Sequence, residues 1–225
     1  MHPLTYLHLQ MQLEGKALVG DRLKREASVV PDGDLPLLLI AQLKTQEIVS
    51  YYNEGLPADL HKKLAVSVRE ISFPNLEEVL GILKLHAIEA RPGHSFTYLF
   101  PTDLQDSING DLIRCSKKDP RLKSLPMNRA GEQVFAVERD GRIVSACASA
   151  RENEFCGEAW VFTESAHRNQ GLAGKVVNAW AASLMTARKI PFYSHKRENT
   201  ASAGLAAHLG LQPIFEEIEI RQISE

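Results

Sequence analysis

The feature that most limits how this chain can fold is a run of small and polar residues, Arg168-Asn169-Gln170-Gly171-Leu172-Ala173-Gly174, set between a strand and a helix. Ahead of it, Glu158 to Thr163 is strand-like. Behind it, from about Leu172 to Arg188, Val176, Val177, Trp180, Leu184 and Met185 share one helical face. Two glycines and an alanine within four residues leave backbone N–H groups uncovered at the start of that helix, where the dipole concentrates roughly half a positive charge. Such a turn suits a phosphate or pyrophosphate, and Arg168 and Lys175 would add donors and charge around it. Small residues at a helix start more often serve close packing or capping, so the turn by itself favours a structural role.

The neighbouring segments predict an α/β protein. Gln133 to Glu138 and Arg142 to Ala148 flank Arg139-Asp140-Gly141, and Asp-Gly between two such runs predicts a hairpin. Pro191 ends the long helix and starts a strand through Tyr193. A last helix, Asn199 to Leu209, stops at Gly210 before a final extended stretch from Pro213 to Ile220. Nearer the N-terminus, Leu7, Met11, Leu18 and Leu23 recur at loosely helical spacing, which predicts a helix over Leu4 to Arg25. The stretches Leu37 to Leu43 and Ile48 to Tyr52 bracket Lys44-Thr45-Gln46-Glu47 and predict two short strands. Pro57 opens a helix to about Arg69 on Leu60, Leu64 and Val68, and a second, with Asn75 as N-cap, carries Leu76, Val79, Leu80 and Leu83. Arg91-Pro92-Gly93 reads as the end of this layer, ahead of the strand-like Phe96 to Phe100. The expected division is an α/β region over residues 1–92 and a second domain over 93–225.

Composition narrows the function. With 26 Lys plus Arg against 28 Asp plus Glu, the net charge of -2 gives no drive towards nucleic acid or an anionic membrane. The longest unbroken apolar run, Leu37 to Ala41, is far short of the roughly 20 residues a spanning helix needs. Met1-His2-Pro3-Leu4-Thr5-Tyr6 lacks the pattern of a secretory signal, so the expectation is a soluble, cytoplasmic protein. Cys115, Cys147 and Cys156 are odd in number and far apart, as reduced thiols are, and no Cys-x-x-Cys or His-Glu-x-x-His spacing points to a metal. Cys156 with His167 or His195 would make a nucleophile pair, but thiols in strand contexts are more commonly buried and inert. Gly-x-Ser-x-Gly, Walker-type and dinucleotide glycine motifs are missing, which removes the main support for hydrolase, P-loop and Rossmann readings. The side chains of Trp160, Trp180, Phe162 and Phe192 are assigned to packing.

The pattern Arg168-x-x-Gly171-x-Ala173 resembles the pyrophosphate turn of the GNAT superfamily of acetyl-CoA-dependent N-acetyltransferases, written Arg/Gln-x-x-Gly-x-Gly/Ala. Further elements agree in order and spacing. The strand Val161-Phe162-Thr163 precedes the turn, Asn199-Thr200-Ala201-Ser202 opens the last helix, and Leu209-Gly210-Leu211 closes it. The resemblance covers roughly Ser95 to Ile220. It implies a GNAT-like mixed central sheet with flanking helices and a splayed strand pair, preceded by the smaller α/β region. Pantetheine would lie in the notch between Val161–Thr163 and Pro191–His195, pairing with the backbone of Val161 and Thr163 as an added strand does. The pyrophosphate would rest on the N–H groups of Asn169, Gln170, Gly171, Leu172, Ala173 and Gly174, with Arg168 beside it. Asn199 would bond the pantetheine arm or the strand next to it while capping its own helix.

The implied reaction is attack of a neutral amine on the acetyl thioester, so an ammonium acceptor with a pKa of about 10 first has to lose its proton. Glu158, close to where many of these enzymes place a carboxylate base, is the first candidate. His195, whose side-chain type titrates near neutrality, is the second. Many members carry a Tyr acid where this chain has Ala206, which leaves Tyr193, His208 or water to protonate the thiolate. The expected activity is transfer of an acetyl or short acyl group from acetyl-CoA to a primary amine, with a small-molecule acceptor. One alternative is a catalytically weak or inactive CoA-binding regulatory module, motivated by Ala206. Another is a protein or peptide N-acetyltransferase. The resemblance implies an acceptor surface on Phe96 to Arg129, where Asp103, Asp106 and Asp111 would attract a cation, and on the N-terminal region, while composition leaves the oligomeric state open.

Overall fold

A computed structural model describes residues 1–26, 34–102, 104, 110–123, 125–126 and 131–223. In chain order the elements are α1 Pro3–Leu13, β1 Lys16–Val19, β2 Arg22–Arg25, β3 Leu38–Leu43, β4 Ile48–Asn53, α2 Ala58–Arg69, α3 Glu77–Leu85, β5 Ala90–Leu99, β6 Leu112–Ser116, β7 Gln133–Arg139, β8 Arg142–Glu152, β9 Cys156–Thr163, α4 Leu172–Thr186, β10 Ile190–Lys196, α5 Thr200–His208 and β11 Pro213–Gln222. Short 3-10 turns stand at Pro120–Leu122 and Ser165–His167. Two compact units result. The first is Met1–Thr97, Lys196–Glu198 and Pro213–Glu225, and the second is Tyr98–His195 and Asn199–Gln212.

In the first unit the strands run β1-β2-β4-β3-β11-β5 across the sheet. The core is built where Leu38 and Ile40 of β3, Ile218 and Ile220 of β11, Leu60 and Leu64 of α2, and Val79 and Leu83 of α3 meet. The helix expected over Leu4 to Arg25 stops at Leu13. Gly15 and Gly20 take φ of 77° and 62°, values that glycine adopts freely, and the chain reverses into a hairpin. Leu18 and Leu23, whose spacing imitated a helical face, are cross-strand partners in that hairpin. Arg91-Pro92-Gly93 likewise does not end the layer, because it lies within β5. Pro92 stands near the strand start, where a missing ladder N–H costs least. Helix α3 starts one residue later than expected, yet Asn75 still accepts a hydrogen bond from the Glu77 N–H at 3.0 Å.

In the second unit the order is β10-β9-β8-β7-β6. The predicted hairpin joins β7 to β8 through Asp140 and Gly141, both with positive φ, the primed turn that matches strand twist. β6 pairs antiparallel with β7 and was not anticipated. Beyond it, an exposed charged stretch carries surface ion pairs: Lys117 with Glu132 at 2.5 Å, and Arg121 with Asp119 at 2.6 Å and with Glu138. Helix α4 packs on β7, β8 and β9. Trp180 anchors it, fully enclosed, with its indole N–H donating to Ser149 Oγ at 3.0 Å and its ring edge-on to Phe100. Among the described residues no helix is long and apolar enough to cross a membrane.

Candidate active site

Strands β9 and β10 run parallel, in register at Ile190↔Cys156, Pro191↔Gly157 and Phe192↔Glu158, and the register ends there. Both strands continue, β9 to Thr163 and β10 to Lys196, so their second halves part. Backbone direction along β9 follows from two bonds: the Glu164 N–H donates to Val144 of β8, and Phe155 accepts from the Ile190 N–H of β10. Alternation then turns the N–H and C=O groups of even residues towards β8, and those of Val161 and Thr163 into the gap. Phe162 faces its backbone the other way, and its carbonyl accepts from Ser145 Oγ at 3.3 Å. A pantetheine arm has two amides to match such an edge.

At the mouth of the gap the polypeptide turns sharply. Asn169 and Gly171 have φ of 60° and 75°, and Gly171 is the N-cap of α4 with no side chain bonded to the helix start. Arg168, Asn169, Gln170 and Gly171 are exposed, Leu172 and Gly174 are buried, and Ala173 lies between. The first-turn amides therefore lack a side-chain acceptor, as an anion site needs. A Cβ on Gly174 would meet Leu209 Cδ2 at 3.4 Å and His208 Cδ2 at 3.6 Å, ordinary contact distances, so this position packs beside the end of α5. The two expected cations both have partners within the protein. Arg168 donates from Nε to the Thr163 carbonyl at 3.3 Å, which pins the turn to the end of β9. Lys175 is ion-paired with Asp111, which also meets Arg139 at 2.6 Å. Its hydrogen bond to Lys175, above all, holds the Asp111 carboxyl below the usual range. Asp111 is thus a framework residue, while Asp103 and Asp106 lie outside the described residues.

Glu158 sits at the vertex of the gap but is placed unlike a base. It is buried at 5% exposure, and Arg151 donates to its Oε2 from Nε at 2.8 Å and Nη2 at 2.5 Å. Its Oε1 accepts from the Ser194 hydroxyl. Arg151 reaches it because the β8–β9 register shifts between Ser149 and Arg151, so that Arg151 rather than Ala150 faces Glu158. Both of its oxygens are thus engaged by donors within the protein. His195 lies three residues past the last paired position of β10. It is buried, with Nε2 at 3.0 Å from the Tyr98 hydroxyl, and it stacks on that ring at 5.4 Å. Tyr193 donates to the Ser202 carbonyl at 3.4 Å, and burial pushes its phenol up to about 12. Asn199 caps α5 by accepting from the Ser202 N–H at 3.1 Å. Ala206 is buried in α5. Burial raises the thiols of Cys147 and Cys156, the latter to about 11, and among the described residues no group of acidic, His and Cys side chains is arranged to hold a metal.

A parted parallel strand pair beside an uncapped, glycine-led helix start is the arrangement the sequence resemblance implied. Residues 134–216 match the family model described as GNAT acetyltransferase. No curated protein matches the chain. Solved structures with the GNAT fold do. One is a GNAT-family protein from Novosphingobium aromaticivorans, with 12% identity, full coverage of both chains and a TM-score of 0.53. Another is a GCN5-related N-acetyltransferase from Kribbella flavida, with 12% identity, 100% of this chain and 96% of that one covered, and a TM-score of 0.54. A tandem GNAT protein from the clavulanic acid biosynthesis pathway has 10% identity, 100% and 98% coverage, and a TM-score of 0.50. At such identities the likeness is one of fold, and this chain has the mixed GNAT sheet with flanking helices.

Three site residues went unnoticed in the sequence. Tyr98 stood in a segment read only as a strand, Ser194 between two better candidates, and Arg151 became Glu158's partner through a bulge that no local pattern announces.

Proposed function

We propose that the protein transfers an acetyl or short acyl group from acetyl-CoA to a primary amine. The observation that carries this reading is the parting of β9 and β10 after Phe192↔Glu158, with Val161 and Thr163 turned into the gap and the Gly171 helix start at its mouth. Pantetheine amides would pair along Val161 and Thr163, and the pyrophosphate would take the N–H groups between Asn169 and Gly174. His195 acts as the base that removes the ammonium proton of the acceptor, since Glu158 is committed to Arg151 and Ser194. The neutral amine then attacks the thioester carbon, the C–S bond breaks, and the proton shed by the new amide nitrogen reaches the CoA thiolate through water, without a dedicated acid at Ala206. Glu158 keeps the vertex of the gap rigid, and Asn199 fixes the start of α5.

Buried Ala206 and the doubly bonded Glu158 also favour a second reading, a CoA-binding module with slow or no turnover. Thiol release from acetyl-CoA against a broad panel of small amines and peptides separates the two. Enzyme action predicts release above hydrolysis with at least one acceptor, and a loss of about 10²–10⁴-fold in His195→Gln with unchanged acetyl-CoA affinity by calorimetry. Binding without release for every acceptor would favour the module.

A further inference from the structure

Strand alternation sets His195 apart from Glu158. Ser194 meets Glu158, so the next residue, His195, projects from the opposite face of β10, and the group beside it is Tyr98. The Tyr98 and His195 rings lie 23° from parallel, and Tyr193 closes the cluster at 6.4 Å from His195 and 6.3 Å from Tyr98. All three side chains are buried, at 8%, 7% and 1% exposure for Tyr98, His195 and Tyr193. A buried phenol needs an acceptor for its proton, and a neutral imidazole offers one nitrogen lone pair. The 3.0 Å contact joins Tyr98 Oη to Nε2. Tyr193 cannot serve in the same way, because its hydroxyl is spent on the Ser202 carbonyl of α5.

We propose that Tyr98 is a catalytic residue, a proton relay that receives the acceptor's ammonium proton on its oxygen while passing its own hydroxyl proton to His195 Nε2. The step rests on the acyltransferase reading given above. One ammonium N–H bond and the Tyr98 O–H bond break, a new Tyr98 O–H bond and an Nε2–H bond form, and the products are a neutral amine and an imidazolium. Tyr98 is neutral before and after, and its hydroxyl turns from donor to acceptor, so the contact to Nε2 survives the transfer. Neutral His195 therefore carries its own proton on Nδ1.

Nitrogen-15 spectra of the wild-type protein, with the His195 signals assigned through His195→Gln, test the tautomer without any turnover. The Nδ1-protonated form is expected, and an Nε2-protonated neutral ring overturns the relay. In the acetyl-transfer assay, Tyr98→Phe keeps the ring and loses the hydroxyl. The expected result is a fall in kcat of about 10²-fold with KM for acetyl-CoA within about twofold. The solvent-isotope proton inventory should be curved in the wild type, with two protons in flight, and linear in the variant. A kcat within about twofold of wild type, or a linear wild-type inventory, overturns the proposal. If Tyr98→Phe fails to fold, the wild-type tautomer and inventory decide alone. Full turnover in His195→Gln sinks the assignment of the base, and absence of turnover in the wild type sinks the acyltransferase reading, while the tautomer still reports on the Tyr98 bond.

Discussion

Replacing Glu217 by glutamine should remove most of the acid-to-neutral slope in the stability of the first unit. Glu217 lies on β11, 5% exposed and close enough to interact with Lys16, which is ion-paired to both Glu14 and Glu219. Ser95 donates to its Oε1 at 3.2 Å. Three carboxylates around one buried ammonium cannot all be charged cheaply. Burial first, then repulsion from Glu14, lifts the Glu217 carboxyl from 4.5 to about 8, against the pull of Lys16. Burial opposes the Lys16 ammonium too, but Glu14, Glu219 and Glu217 outweigh it and raise its pKa, so Lys16 does not titrate near neutrality. Between 4.5 and about 8 the folded chain holds a proton that the unfolded chain has released. Stability therefore falls as pH rises through that window. At about 1.4 kcal/mol per pH unit, and allowing for partial ionisation near each end, going from about pH 5.5 to about pH 7.5 costs on the order of 2–3 kcal/mol. Glutamine keeps the shape and cannot ionise. Urea unfolding followed by circular dichroism at the two pH values, for wild type and Glu217→Gln, should show the wild type losing about 2–3 kcal/mol more than the variant. Equal losses within about 0.5 kcal/mol would refute the reasoning.

Gly171→Glu places a carboxylate at the start of α4, where a Cβ meets open space but φ is +75°. Calorimetry should find acetyl-CoA binding abolished and circular dichroism an intact fold, because the strain costs only about 1–2 kcal/mol. Glu158→Gln should act mainly on stability, by about 1–3 kcal/mol in urea unfolding read by tryptophan fluorescence, with kcat down less than about tenfold. A loss of about 10²-fold or more would return the base role to Glu158. Cys147 and Cys156, buried and with raised thiol pKa values, should resist a thiol-specific reagent in the folded protein, leaving Cys115 as the one that reacts; all three should react in denaturant.

Much of the second unit was legible because its punctuation is chemical. Asp140-Gly141 favours a primed turn, Gly210 at φ 66° ends α5, and Asn199 caps it through its own side chain. The same logic failed where two structures share a spacing. Leu18 and Leu23 are five apart both on a wavering helical face and across a tight hairpin, and only the glycines on either side decide between them. The site was legible in its backbone part, since a glycine turn after a strand is a local pattern. Its side-chain part was not. Glu158's partner depends on a one-residue bulge in β8, and the neighbour of His195 is Tyr98, 97 residues earlier in the chain. Such pairings arise from tertiary register, which single-residue chemistry does not encode.

The return of β11 to β3 has a consequence for synthesis. Ile218 and Ile220 complete the core around Leu38 and Ile40, yet the ribosome delivers them about 170 residues after β3. At roughly 10 residues per second, the nascent first half waits on the order of 15 s with one side of β3 unpaired. Through that interval a bare, apolar strand edge is open to chaperones, or to the same edge on a neighbouring nascent chain.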